Sequence, residues 1–207
     1  VFILMIESLT NFLSTGYFIT DNKSTNSIEV RERLEGIVNQ DIIFVLACNE
    51  LKYELFKLSR GTKTKIMTLH DKEVAIFYFG IMIKMSRFKT LCPRPEIKNT
   101  ISNEIEAKNC LSRFLDSNLF EIENYKKDAI CFINEKNTYV VGYCDIDMIF
   151  HTISNDNTSL TMGAKVLANF TWKYMYFKQM IKEYDIELDQ NQVDYKAILR
   201  NLLNLKN

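Results

Sequence analysis

The stretch IIFVLACNELKYELFKLS, residues 42–59, decides how the first half of this 207-residue chain is read. Taken as one helix, it starts behind Asp41, whose carboxylate can accept the free N–H groups of a first turn. Its stop is Gly61, a residue type that favours the left-handed end of a helix. Apolar residues surround its first half, as in a helix buried on all sides. Upstream, Ser27 is placed to cap a helix opening at Ile28, with Ile28, Leu34, Ile37 and Val38 inward. Ile6, Leu9, Phe12 and Leu13 fall at helical spacing over residues 4–13, and Gly16 is placed to end that helix. The polar TDNKSTNS, residues 20–27, reads as a loop. Downstream, Thr68 and Asp71 resemble a capping signal for a helix through VAIFYFGIMIKM, residues 74–85, with a buried strand as the alternative. Pro93 and Pro95 break regular structure. Ser102 is placed to cap a helix reaching about Leu115.

The pattern then changes. LFEIENY, AICFINE and TYVVGYC are strand-like runs that read as an antiparallel meander, which MIFHTI extends. A long helix follows over residues 160–184, and a last one runs from about Gln192 to Leu205. Its stripe of Ile198, Leu199, Leu202 and Leu203 docks on the core or on a partner. The expected fold class is α+β: a mostly helical N-terminal half, a small antiparallel β-meander and two C-terminal helices. The expected organisation is a single compact domain over 1–207, with 1–117 and 118–207 as its natural subdivision.

Apolar residues make up 47% and charged residues 25% of the chain, so a sizeable core is expected. With 2 prolines and 6 glycines, long disordered linkers are not. No run approaches the ~18 apolar residues of a membrane span, and the opening VFILMIESL lacks the basic start of a signal peptide. Met5 reads as the initiator, with Val1 to Leu4 as upstream read-through. Five cysteines without a CxxC pair fit reduced, buried thiols in a cytoplasmic protein.

The formal net charge is 0, yet its distribution is uneven. Residues 52–98 hold eleven basic and four acidic side chains, +7; residues 1–51 hold three and seven, −4; residues 99–207 hold twelve and fifteen, −3. A basic island in the middle third suggests an anionic partner. Within it, SRGTKTKIM places Arg60, Lys63 and Lys65 so that extended alternation points Thr62 and Thr64 one way and the two lysines the other. The segment lacks the GxxxxGK[ST] spacing by which backbone amides cradle nucleotide phosphates. It reads instead as a loop gripping a nucleic-acid backbone. A second basic stretch, MSRFKTLCPRPEIK, interleaves Lys84, Arg87, Lys89 and Arg94 with Phe88, a ring able to stack on an unpaired base.

Catalytic constellations are thin. His70 beside Asp71 reads as part of a helix N-terminus, and His151 as a strand histidine. Cys144 with His151 has no third partner, so a nucleophile pair carries little. Asp145 and Asp147, with Asp156, form a conceivable magnesium set. No nucleophile elbow or dinucleotide fingerprint is present, so no catalytic residue, metal or cofactor is assigned. Phe170, Trp172, Tyr174, Tyr176 and Phe177 crowd one helix and serve mostly as core.

SRGTKTKIMTLHDKEVAIFYF, residues 59–79, in a compact chain rich in Ile, Lys and Asn, resembles the microsporidian ribosome dormancy factors. The resemblance implies a non-enzymatic factor that occupies a vacated tRNA site, the exit site, and touches rRNA and ribosomal proteins. The expected function is therefore ribosome dormancy through the basic segment, with no membrane and no small-molecule substrate. A protein-only scaffold subunit using the C-terminal helix, or a metal-assisted hydrolase using Asp145 and Asp147, are the alternatives.

Overall fold

The computed structural model describes residues 2–49, 51–86, 97, 100–135, 138–157, 159–190 and 192–205. Two compact units make up the chain, Val1–Leu91 and Cys92–Asn207. Both combine helices with a sheet, so the protein is α+β, but the expected helical N-terminal half is overturned: strands dominate there.

The first unit opens with helix α1 (Phe2–Leu13) and a 3-10 turn, Ser14–Gly16. Five strands follow: β1 (Tyr17–Asn22), β2 (Ser27–Leu34), β3 (Ile37–Asn49), β4 (Lys52–Ser59) and β5 (Thr62–Leu69). They form one antiparallel sheet in chain order, and helix α2 (Lys72–Ser86) closes the unit. Residues 42–59 are thus most of β3, a turn and β4, not one helix. Ser27 opens β2 instead of capping a helix, where Ile28 and Val30 are fully buried while Glu29 and Arg31, which alternate with them, are not. That period of two belongs to a strand. Burying such a side chain is worth about 1.5–3 kcal/mol. Helix propensities differ by only about 0.7 kcal/mol per residue, so packing decides.

Two of the four strand connections in this meander share one tight geometry. Glu35 and Gly36 have φ +49° and +85°, and Arg60 and Gly61 have +48° and +80°. Two consecutive positive φ values between paired strands define a type I′ hairpin, whose twist matches the strands. Gly61 is therefore a turn residue and ends no helix. Ile28, Val30, Leu46, Leu55 and Leu69 line the buried face of the sheet, each with no exposed surface. Helix α2 packs against β4 and β5, and α1 packs against α2 and β1. The α1–α2 approach depends on Gly80, where an added Cβ would lie 2.5 Å from the Phe12 ring. Asp71 caps α2 itself, its Oδ1 accepting the Val74 N–H at 2.9 Å.

The second unit contains helix α3 (Glu104–Leu111), strands β6 (Phe120–Ile122), β7 (Ala129–Glu135), β8 (Thr138–Cys144) and β9 (Phe150–Asn157), and helices α4 (Leu160–Glu183) and α5 (Val193–Leu203). Asn103, not Ser102, caps α3: its Oδ1 accepts the Glu106 N–H at 2.8 Å, while the Ser102 N–H donates to Glu106 Oε2 at 2.8 Å. This reciprocal pair satisfies two donors. Strands β7, β8 and β9 form the expected antiparallel meander, but β6 pairs with β7 in parallel.

Helix α4 packs on the face carrying Ile130, Phe132, Val141 and Tyr143, and the Phe132 ring would lie 2.2 Å from a Cβ on Gly163. Small residues on the other face, Ala129, Cys131 and Cys144, are buried with Phe150 packed on them. The Tyr125 ring meets Phe150 at 5.2 Å. Both faces at the centre of this sheet are therefore covered. No described helix is long and apolar enough to cross a membrane.

Candidate functional site

The register of the five-stranded sheet places its unburied face row by row. One row across the strands is Phe18, Arg31, Ile43, Leu58 and Lys63; the next is Thr20, Glu29, Val45, Phe56 and Lys65. Glu54 and Lys52 follow along β4 on the same side, because alternate residues of a strand share a face. Each row spans about 19 Å at ~4.8 Å per strand. Phe18 is 42% exposed, Lys63 and Lys65 are exposed, Phe56, Leu58 and Ile43 are half-buried, and Val45 at the centre of the second row is buried.

Arg31, Lys52, Lys63 and Lys65 therefore share this face with the carboxylates of Glu29 and Glu54. Arg31 Nη2 donates to Glu29 Oε2 at 2.8 Å, and its Nε is buried with no hydrogen-bond partner. Lys65 donates to Glu54. Lys63 Nζ sits 4.1 Å from the centre of the Phe56 ring, a cation–π distance. The Lys65 hydrogen bond lowers the Glu54 carboxyl below its ordinary value against the upward push of burial, and the charges of Lys65, Lys52 and Lys63 add to the lowering. Three lysines are thus gathered around one carboxylate, beside an aromatic ring.

The structure brings together Lys63 and Lys65, which project on the opposite side from Thr62 and Thr64, as alternation requires. Arg60 stands at the tip of the same hairpin, within a turn and not at a helix end. Lys84 lies elsewhere: it is in the last turn of α2, 4.4 Å from the Phe12 ring, in the helical layer against the buried face of the sheet. Arg87, Lys89 and Arg94, with Phe88, lie outside the described residues. Arg31, Lys52, Phe18 and Phe56 had no signal of their own in the sequence. Only the strand register, which a helical reading of residues 28–59 hides, puts them beside Lys63.

The second unit holds its polar groups differently. Asp128, in the left-handed region at φ +56°, accepts hydrogen bonds from Tyr143 at 2.7 Å, from Lys178 at 2.9 Å and from Tyr174. Burial raises its carboxyl, but the three donors outweigh that and hold it below the usual value. Burial pushes the hydroxyls of Tyr143 and Tyr174 far up, so both stay protonated donors. Asp145 Oδ1 accepts the N–H groups of Asp147 at 2.9 Å and Ile149 at 2.8 Å, and its Oδ2 lies 2.8 Å from His151 Nε2.

These contacts bear on the weaker readings. Cys144 pairs with Phe150 and Tyr143 with His151, so Cys144 and His151 lie on opposite faces of the sheet. Burial, with Asp145 adding to it, also raises the Cys144 thiol. Both oxygens of Asp145 are engaged by its own turn and by His151. The described residues contain no group of three or more His, Cys, Asp or Glu able to hold a metal ion, and the Asp156 side chain lies outside them. Ile198, Leu199, Leu202 and Leu203 are buried, so the α5 stripe docks within its own unit. No protein-family model, curated protein or solved structure matches the chain.

Proposed function

We propose that the protein is a non-enzymatic RNA-associated factor that docks on the ribosome through the unburied face of its five-stranded sheet. The observation carrying this reading is the cluster of Lys52, Lys63 and Lys65 around Glu54, beside the Phe56 ring and in line with exposed Phe18. Ammonium groups on a sheet neutralise phosphates, and rings flat on a sheet stack unpaired bases. Arg60 at the hairpin tip extends the cationic edge. The cluster is only modestly positive, its lysines and Arg31 standing against Glu29 and Glu54, which suits a surface of both rRNA and protein better than one enclosed by RNA. Occupancy of a vacated tRNA site, and with it a dormant ribosome, is the specific form of this proposal and rests on the resemblance of residues 59–79.

The test is co-sedimentation of the full chain with native ribosomes across a potassium chloride series. The wild type should pellet with ribosomes at low salt and be released as salt rises, because each neutralised phosphate makes binding salt-dependent. Lys63→Glu with Lys65→Glu should abolish the association. Absence from the ribosome pellet at low salt, or pelleting that ignores both salt and charge reversal, would exclude this interface. The latter result would favour a protein-only contact.

A further inference from the structure

A cavity of about 220 Å³ lies in the second unit, between the turn joining β8 to β9 and helix α5. It is smaller than the ~300–1,000 Å³ of drug-sized sites. Ile146, Ile149, Leu199 and Leu205 give its lining an aliphatic part, and charged and polar side chains share it. Ile149 is 56% exposed although it lines the cavity, an apolar surface that an occupant would cover.

The charged groups of the lining come from helix α5 and from the β8–β9 hairpin. Lys196 and Arg200, four residues apart on α5, lie on one side of that helix and both line the cavity. Both are exposed, and neither forms an ion pair with another described residue. From the strands comes His151, clamped through Nε2 by Asp145 and stacked 6.4 Å from Tyr143. With Nε2 turned to the carboxylate, Nδ1 is the ring's remaining polar atom, an acceptor in the neutral ring and a donor in the charged one. Asp145 is compensated by two backbone N–H groups and by this histidine. Asp147 also lines the cavity, as an exposed counter-charge on the turn. Two unpaired cations therefore face one carboxylate not so compensated. The buried Tyr195 ring forms part of the wall, and its hydroxyl, close to Tyr174, makes no hydrogen bond of good geometry.

We propose that this cavity binds a small organic anion, a carboxylate or phosphate monoester on a short apolar body. The anionic head lies between Lys196, Arg200 and His151, and the body lies against Ile149, Leu199 and Leu205. The charge arrangement selects the class: a neutral apolar molecule leaves the two cations unpaired, and an amine meets them with repulsion. Carboxylate and phosphate share the chemistry of a charged oxygen head that arginine can grip by two parallel hydrogen bonds.

The experiment uses the full chain, with benzoate, phenyl phosphate, benzyl alcohol and benzylamine as probes, followed by amide chemical shifts and by melting temperature. At least one of the two anions should bind saturably and move the amides of residues 145–151 and 195–200. The alcohol and amine should bind at least about tenfold more weakly, a difference of ~1.4 kcal/mol. Lys196→Gln with Arg200→Gln, both at exposed positions, should weaken the anion about tenfold at unchanged fold. Asp147→Asn should tighten it. Failure of both anions at millimolar concentration, preference for the amine, weaker anion binding in Asp147→Asn, or indifference to the double substitution would each overturn the assignment. None of these results depends on RNA binding by the first unit.

Discussion

The two sheets of this protein treat charge in opposite ways. The five-stranded sheet keeps one face for its core and leaves lysines, an arginine and rings on the other, tied by loose pairs at the surface. The four-stranded sheet is covered on both faces at its centre, and its charged residue Asp128 is drawn inward against three donors. A side chain whose removal barely affects folding is free to meet a partner. One that completes a buried network is held in place by the fold. Function in the first unit is therefore expected on the open face, and fragility in the second at Asp128.

The largest effect that sharpens this contrast is at Asp128. Replacing it by Ala leaves the hydroxyls of Tyr143 and Tyr174 and the Lys178 ammonium without their shared acceptor. Stranded buried donors cost about 1–3 kcal/mol each, so the second unit should lose about 3 kcal/mol, measured by chemical denaturation. The same residue sets an acid limit. Its folded carboxyl titrates below the unfolded value of about 3.9, so its contribution is complete above that pH. As pH falls through the lower folded value, that contribution disappears. Acid unfolding of the Asp128→Ala variant should therefore be less steep below about pH 4 than that of the wild type.

A smaller effect is expected at Gly142. A Cβ there would lie 2.6 Å from the carbonyl oxygen of His151 and 2.4 Å from the Phe150 ring, so backbone must shift. Gly142→Ala should cost about 1–3 kcal/mol. Gly80→Ala, at the α1–α2 crossing, meets ring atoms of Phe12 alone and should cost less than Gly142→Ala. Equal losses at the two positions would contradict the view that the second unit is the more tightly covered. The smallest effect is reserved for the open face: Lys63→Glu with Lys65→Glu should leave the melting temperature of the first unit unchanged, even where it removes the contact proposed for that face.

The C-terminal half was legible because its signals are local. Val140 and Val141 in β8 and the Ile-rich run of β7 are bounded by polar turns, and Ser159 caps α4 through the Met162 N–H. The N-terminal half was not, because β3 carries apolar side chains on both faces, from Ile42 to Cys48, and mimics a buried helix. Two of its hairpins also turn on Glu-Gly and Arg-Gly, not on the Asn-Gly or Asp-Gly pairs that announce a type I′ turn. The alternation of Lys63 and Lys65 against Thr62 and Thr64 was readable, since it needs only an extended segment. Their neighbours Lys52, Phe56 and Arg31 come from other strands, and no spacing along the chain encodes that meeting. Asp128 was equally hidden: in KKD it looks like any loop carboxylate, and only Tyr143, Tyr174 and Lys178, 15 to 50 residues away, give it a role.

Binding of a uridine-rich single-stranded RNA to the full chain, measured against salt for the wild type and for Lys63→Ala with Lys65→Ala, tests the central claim most directly. Each lysine that neutralises a phosphate contributes about 0.7 to the slope of log affinity against log salt on a single strand. Removing both should flatten the slope by about 1.4. Identical affinities and slopes for the two proteins would show that the open face of the five-stranded sheet does not meet RNA.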